Sequence, residues 1–209
     1  MEIEQELKKA LVELRTEEER KFNQTLDLII NLQKFDVKKE AVNIFIQVPH
    51  QIKKKKICAF LTSKHKDIDT ITEADFRVYS DKKQLKKLEK NYDFFIAQAV
   101  LMPKVATVFG RVLGPSGKMP SPQLGIIPDA DDKVLNELKK KIDQSIRIRS
   151  KEASIKLGVG KHSMKDEELV ENIMVIYNSL LKALPKGIDN IKNLEIKFTM
   201  TKPKKILLK

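Results

Sequence analysis

Residues Gly110–Pro128 read GRVLGPSGKMPSPQLGIIP and are the part of the chain richest in glycine and proline. The window holds four of the 7 glycines and four of the 8 prolines. Glycine admits left-handed backbone, and proline fixes φ and lacks an amide donor, so the window predicts neither a helix nor a central strand. Apolar residues run through it, which predicts a long loop held against a core. These residues are Val112, Leu113, Met119, Leu124, Ile126 and Ile127.

The segment Gly114–Lys118 invites comparison with a phosphate-binding P-loop, but its spacing excludes one. Two residues separate Gly114 from Gly117, whereas the P-loop requires four. Lys118 is followed by Met119 instead of the Ser or Thr that binds magnesium. A phosphate-handling enzyme, which would bind nucleotides, is therefore a weak alternative.

Patterns typical of catalytic and metal sites are also missing from the sequence. His50, His65 and His162 are scattered and Cys58 stands alone, so neither metal-ligand spacing nor a serine–histidine–acid arrangement can be assigned. We therefore expect a protein that is not an enzyme and uses no metal or cofactor. Cys58 lies in an apolar run, which is typical of a buried cysteine in a reducing, intracellular compartment.

The charge of the chain favours a polyanionic partner. Its 209 residues include 41 Lys+Arg and 29 Asp+Glu, a formal net charge of +12. Nucleic acid is the simplest such partner, and the alternative is a solvated lysine-rich surface. No apolar run approaches the ~20 residues that cross a bilayer, and the acidic N-terminus does not resemble a signal peptide, so we expect no membrane association.

Both ends of the chain predict amphipathic helices and strands. Apolar residues recur at helical spacing over 3–20 and 163–184, and Ser163 is predicted to cap the second of these helices, ahead of Asp166. Alternating patterns predict strands over 26–32, 44–48, 146–149, 154–157 and 194–200, with a helix as the alternative for the leucine-rich segment 26–32. The strands at 146–149 and 154–157 surround a turn at 150–152 that lacks the Asn-Gly hairpin signal.

The middle of the chain differs, because short apolar strands alternate there with helical segments. Apolar runs at 57–61 and 94–97 predict buried strands, and Leu135, Leu138 and Ile142 predict a helix. The economical architecture is an α/β protein with two domains. Residues 1–50 and 144–209 would form a discontinuous α+β domain, and 51–143 an inserted Rossmann-like βα domain with a parallel sheet. The chain would cross between them near 50–56 and 143–146.

The Gly110–Pro128 window resembles a sequence motif of a known protein family. GRVLGPSGKMPSP looks like the signature of the ribosomal protein L-one family, the stalk proteins of the large ribosomal subunit. The stretch from Tyr92 to Ala99 with Leu101–Pro103 is similar to the archaeal branch. GVGKHSMKDEELVENI, from Gly158, and FTMTKP, from Phe198, resemble the C-terminal region of archaeal and eukaryotic members. The resemblance extends in order over almost the whole chain and implies the same two-domain arrangement.

The resemblance also implies a function. Members are expected to bind the stalk of large-subunit ribosomal RNA, to take part in the release of deacylated tRNA from the exit site, and to repress translation by binding their own mRNA. The expected location is the cytoplasmic ribosome, with a monomer when the protein is free. The alternative is a general basic nucleic-acid-binding protein without ribosomal specificity, which would show a steep salt dependence and no preference for stalk RNA.

The resemblance places the family's first RNA-contacting motif at Lys21, Phe22, Gln24, Thr25 and Asp27. The chemistry is suitable, because an exposed aromatic ring packs on a sugar or base, and hydroxyl and carboxylate groups bond the 2′-hydroxyl or a base amine. The alternative is an ordinary strand with Phe22 in the core.

The family's Thr-Met-Gly motif falls on Thr199, Met200 and Thr201, and threonine replaces the glycine. A glycine there would permit positive φ or close approach to RNA, so the substitution puts the local geometry in question. A looser third contact region falls on Lys161 and His162. Here the alternatives are a core residue for Met200 and a capping or surface residue for His162.

A secondary set of residues belongs to the predicted inserted domain. Arg111 and Lys118 are predicted as secondary phosphate contacts. The residues predicted to shape the loop are Gly114, Pro115, Gly117 and Pro120.

Overall fold

The computed structural model describes residues 2–16, 20–37, 39–40, 42–66, 68–128, 131–150 and 152–207. The helices are α1 Glu2–Arg15, α2 Lys82–Asn91, α3 Met102–Ser116, α4 Asp132–Asp143 and α5 Asp166–Ala183. The strands are β1 Thr25–Leu32, β2 Asn43–Gln47, β3 Ile57–Phe60, β4 Asp69–Ile71, β5 Phe94–Gln98, β6 Ile126–Ile127, β7 Ser145–Arg149, β8 Ser154–Lys161, β9 Ile191–Phe198 and β10 Lys204–Ile206. Short 3-10 helices cover Glu73–Ser80, Ala99–Leu101 and Gly187–Asn190.

The chain divides into two compact units. The first unit contains residues 1–53 and 144–209, and the second contains residues 54–143. The first combines antiparallel strands with α1 and α5, and the second combines a parallel sheet with α2, α3 and α4. The predicted α/β class is confirmed.

The first unit is built on an antiparallel sheet with the strand order β10-β9-β1-β8. Along β1 the side chains of Leu26, Leu28 and Ile30 are buried, whereas Thr25 and Asp27 on the opposite face are half-buried. This period-two alternation gives the sheet one apolar face. Residues of α1 and α5 share the core on that face, namely Leu7, Leu11, Leu14, Leu169, Ile173 and Ile176.

The second unit has a parallel sheet with the order β4-β3-β5-β6 around an aromatic core. The ring of Phe60 lies 4.7 Å from that of Phe109 and 5.7 Å from that of Phe95, measured between centroids. Cys58 is buried in the same core, and burial raises the pKa of its thiol to about 12. The thiol therefore stays protonated at neutral pH and acts as a small apolar side chain.

The prediction of a loop throughout Gly110–Pro128 is wrong, because α3 extends to Ser116. Val105, Phe109 and Leu113 recur every four residues and are all buried, so core packing outweighs the low helix propensity of glycine and proline. Gly114 and Pro115 are consequently helical residues of the last turn and not loop-shaping residues. Gly117 does end the helix, in the left-handed conformation with φ 74°.

Two local predictions at the C-terminal end of the chain need correction. The strands β7 and β8 belong to different sheets, with β7 paired to β2 and β8 paired to β1, so long-range pairing takes the place of a local hairpin. Lys151, in the predicted turn, lies outside the described residues, as do residues 17–19 of the first predicted helix. Lys165, not Ser163, is the N-cap of α5. The Lys165 amide donates a hydrogen bond to the Glu168 carboxylate.

Candidate nucleic-acid interface

Three segments from distant parts of the sequence meet at one end of the first unit's sheet. The central strand β1 is antiparallel to both neighbours, so its first residue lies beside their last residues. Thr25 pairs with Lys161 at the end of β8, and Leu26 pairs with Phe198 at the end of β9. We call the surface formed by residues 20–27, 161–163 and 199–200 the strand-end surface.

Side-chain hydroxyls join these segments directly. The Thr25 amide donates to Thr199 Oγ1 at 3.1 Å, and the Thr199 hydroxyl lies 3.3 Å from the Thr25 carbonyl oxygen. The Lys161 ammonium donates to Thr25 Oγ1 at 2.8 Å. The threonines and the lysine are therefore held together on one surface.

Gln24 connects the two flanking turns to β1. Its side-chain Oε1 accepts from the Met200 amide at 3.0 Å, and its carbonyl accepts from the His162 amide at 2.8 Å. The side chain of Gln24 is buried. Its position indicates that it orders the surface from beneath, although the sequence had predicted it among the RNA contacts.

Two apolar side chains stand on this surface. Phe22 is 52% exposed and Met200 is 59% exposed, so the alternative that places either of them in the core is wrong. Phe22 and the exposed Lys21 line a surface cavity of about 450 Å³. The cavity lining is completed by Arg20, Asn23, Gln24, His162 and Ser163. An aromatic ring beside cationic side chains is suited to a base or sugar next to its phosphate.

Thr201 faces into the protein. Its side chain is buried, and its Oγ1 accepts from the Phe198 amide at 2.9 Å. Among the described residues other than glycine, Lys34 is the one with positive φ, so threonine at position 201 requires no left-handed backbone. Threonine at this position, where the resemblance implies glycine, therefore supplies a hydrogen bond that closes the turn and places no side chain over the strand-end surface.

Asp27 lies on the polar face of the sheet, opposite Lys197 on β9. Burial raises the pKa of the Asp27 carboxyl, while the ammonium groups of Lys197 and Lys161 act to lower it. Gly158 is the neighbour on the other side, and a Cβ there would lie 2.9 Å from the Thr25 methyl carbon. The glycine thus leaves room for the side chains of β1 to lie across β8.

The turn after β8 is held against the sheet. The His162 ring packs edge-on against Phe198 with 4.9 Å between centroids. Asn23 and Ser163 exchange hydrogen bonds, at 2.9 Å from Asn23 Nδ2 and at 3.2 Å from the Ser163 amide. The sequence does not predict Asn23, Ser163 or Arg15 of α1, which bonds this same turn, as residues of the site. Their roles depend on partners at least 140 residues away, for which a single sequence carries no signal.

The secondary set of predicted residues lies in the second unit. Arg111 is exposed on α3. Lys118 instead donates to the carbonyls of Glu89 at 2.6 Å and Tyr92 at 2.9 Å, so it caps the end of α2. Pro120 is buried, consistent with a role in shape. Because the Lys118 ammonium already donates to two backbone carbonyls, Lys118 is a poorer candidate than Arg111 for a phosphate contact.

Two other kinds of feature are missing from the described parts of the chain. No group of His, Cys, Asp and Glu side chains there is arranged to hold a metal ion. Within the same residues, no helix is both long and apolar enough to cross a membrane.

Comparison with known proteins adds independent information. The sequence model of the Ribosomal protein L1p/L10e family matches residues 14–202. A Thermofilum pendens protein is 35% identical over 217 residues, which cover 98% of this chain and 92% of the relative. A Pyrobaculum islandicum protein is 35% identical over 91% of this chain and 87% of the relative. A Nanoarchaeum equitans protein is 33% identical over 89% of this chain and 92% of the relative. All three are named large ribosomal subunit protein uL1. The chain belongs to the Ribosomal protein L1p/L10e family.

Proposed function

We propose that this chain is a structural constituent of the large ribosomal subunit and binds ribosomal RNA through the strand-end surface. The observation that carries the proposal is the convergence at that surface of Thr25, Lys161 and Thr199, with Phe22 and Met200 exposed beside them. The family is structural and non-enzymatic, and the relatives are named as large-subunit proteins. The proposed location is accordingly the cytoplasmic ribosome.

The groups on the strand-end surface are suited to RNA in particular and not only to any negatively charged polymer. Lys21 and Lys161 supply positive charge for phosphates. The hydroxyl groups of Thr25 and Thr199 and the carboxylate of Asp27 offer hydrogen bonds to ribose 2′-hydroxyls, which DNA lacks. Phe22 and Met200 supply apolar surface for a sugar or an unstacked base.

The finer assignments rest on the family resemblance. We propose that the RNA target is the stalk of large-subunit ribosomal RNA, that the protein acts in the release of deacylated tRNA, and that it represses translation of its own mRNA. The first unit would be the RNA-binding domain and the second the inserted domain, with Arg111 as a weaker RNA contact. The free protein would be a monomer.

The second candidate is a general nucleic-acid-binding protein, which the net charge of +12 favours. Competition between a stalk-RNA fragment and a scrambled hairpin of equal length and composition, at physiological salt, separates the two. We expect the stalk fragment to bind at least ~10³-fold more tightly, the lower range for specific recognition. Equal affinity for both RNAs would contradict the ribosomal proposal.

Two variants assign the binding to its surface in the same assay. Phe22→Ala should weaken stalk-RNA binding by roughly 5- to 150-fold, because stacking on an aromatic ring contributes ~1–3 kcal/mol. Val78→Ala removes a comparably exposed apolar side chain from the second unit and should leave binding unchanged. A loss with Val78→Ala but not with Phe22→Ala would mean that the interface lies on the second unit.

A further inference from the structure

Arg15, in the last turn of α1, contacts the turn that follows β8. We propose that Arg15 is a positioning residue of the strand-end surface, which orders the turn of residues 162–164 for RNA binding without touching RNA itself. This inference rests on the proposed RNA-binding function.

The guanidinium group of Arg15 bonds two carbonyls of this turn and one side chain at the start of α5. Its Nε donates to the Asp166 carboxylate at 2.7 Å, Nη1 to the His162 carbonyl at 2.9 Å, and Nη2 to the Met164 carbonyl at 2.7 Å. Its central carbon lies 5.9 Å from the centroid of the Phe198 ring. One planar side chain therefore connects α1, the turn, the start of α5 and the end of β9.

The same turn is held from its other side by β1. The His162 amide donates to the Gln24 carbonyl at 2.8 Å, while the His162 carbonyl accepts from Arg15. The His162 ring packs against Phe198, the ring that Arg15 also approaches. With Arg15 removed, the bonds from β1 would remain, so we expect local displacement of the turn and not general unfolding.

The geometry requires arginine in particular. A guanidinium presents its N–H donors in a rigid planar fork, whereas a lysine ammonium is a point charge on a flexible stem. Two carbonyls and a carboxylate lie at the separations that the fork can reach at once. Lysine at position 15 could satisfy one of these acceptors well and would leave the others to water.

Arg15 is poorly placed to serve as a phosphate ligand. Each of its three nitrogens donates to a protein acceptor, and its charge is paired with Asp166. The side chain is 28% exposed, whereas Lys9 on the same helix is 71% exposed. Its contribution to RNA binding is therefore indirect, through the positions of Lys161, His162 and Ser163.

The test compares Arg15→Met with Arg15→Lys and with Lys9→Met, which removes a positive charge from the same helix. Urea unfolding measures stability, and binding titrations measure stalk-RNA affinity over a range of salt concentrations. NMR measures the chemical shifts of the His162 ring protons. Arg15→Met should bind about tenfold more weakly, roughly the effect of one charge-assisted hydrogen bond. Its salt dependence should be unchanged and its His162 shifts displaced, because the ring loses its fixed position against Phe198. Arg15→Lys should recover only part of the affinity, and Lys9→Met should match the wild type.

Several outcomes would overturn the inference. A fall of about 0.7–0.9 in the salt slope with unchanged His162 shifts would identify Arg15 as a phosphate contact. Wild-type affinity in Arg15→Met, or full recovery of affinity in Arg15→Lys, would mean that the fork does not position the surface. If Arg15→Met fails to fold, Arg15→Lys decides the question by the same measurements. Failure of the wild-type protein to prefer stalk RNA would instead refute the proposed function, a result that these variants do not affect.

Discussion

The Thr199 hydroxyl oxygen lies 3.1 Å from the Thr25 amide nitrogen and 3.3 Å from the Thr25 carbonyl oxygen, which joins residues 174 positions apart. This contact continues the pairing of β1 with β9 beyond the last ladder position, Leu26 with Phe198. The RNA-facing groups proposed here are thus fixed by contacts between opposite ends of the chain.

Thr199→Val should test this relationship at its centre. Valine keeps the shape but removes the hydroxyl, so an RNA group that bonds it would be left unpaired. We expect RNA binding to weaken by about 1–3 kcal/mol and the free energy of unfolding to fall by about 1 kcal/mol. Binding titration and urea unfolding measure the two effects. Thr107→Val, which removes a hydroxyl bonded to Pro103 on α3, is the matched control and should leave RNA binding unchanged.

Thr201→Gly introduces the glycine that the resemblance implies at this position and should destabilise this protein. The change removes the hydroxyl that bonds the Phe198 amide and adds backbone freedom in the unfolded chain. We expect a loss of about 1–2 kcal/mol in the free energy of unfolding, with RNA affinity within about threefold of the wild type. A tenfold gain in affinity would show that the threonine side chain obstructs RNA.

Gly160, near the end of β8, and Gly110 of α3 should respond oppositely to alanine. At Gly160 an added Cβ would clash with the Leu169 side chain, so Gly160→Ala should destabilise by about 1–3 kcal/mol. At Gly110 an added Cβ meets nothing within 4 Å, so Gly110→Ala should stabilise α3 by about 0.5–1 kcal/mol. Urea unfolding of both variants provides the comparison, and a destabilised Gly110→Ala would contradict the helical conformation at that position.

Asn172→Ala should loosen the segment around His50 that follows β2. The buried Asn172 accepts from the His50 amide at 3.0 Å and donates to the carbonyls of His50 at 3.0 Å and Val159 at 3.1 Å. Loss of these bonds should lower the free energy of unfolding by about 2–3 kcal/mol. Trypsin should also cleave the lysine run at 53–56 faster. Asn178→Ala, at an exposed position of α5, should change neither measurement.

Asp27→Asn should change how stability depends on pH. Because burial raises the pKa of Asp27, the folded protein binds this proton more tightly than the unfolded chain does. The resulting stabilisation is present at low pH and is lost as the pH rises through the raised pKa. Asp27→Asn should therefore gain stability relative to the wild type as the pH rises from below the ordinary Asp pKa of about 3.9 through the raised pKa of Asp27. Lys197→Met removes an opposing charge and should enlarge the effect of Asp27, as measured by urea unfolding across this range.

The agreement between sequence and structure varies with the range of the interactions involved. Strand β1 was predictable because Leu26, Leu28 and Ile30 follow a local period of two. The continuation of α3 through Gly114 and Pro115 was not, because their backbone preferences oppose a helix that the burial of Phe109 and Leu113 stabilises. The exposure of Phe22 was not predictable either, because the residue lies just before β1 and its hydrophobicity by itself favours burial.

The sequence alone determined the family, the α/β class, the absence of a P-loop spacing and the residue types available for binding RNA. These properties follow from local periodicity, composition and motif order. The tertiary structure alone decided which of these residues meet, because their contacts are between segments far apart in the chain. It turned Gln24 and Thr201 inward, left Phe22 and Met200 in solvent, and brought Arg15 to the turn at His162. Pairing of β1 with both β8 and β9 is the physical reason, since it brings three distant chain segments together at one end of a sheet.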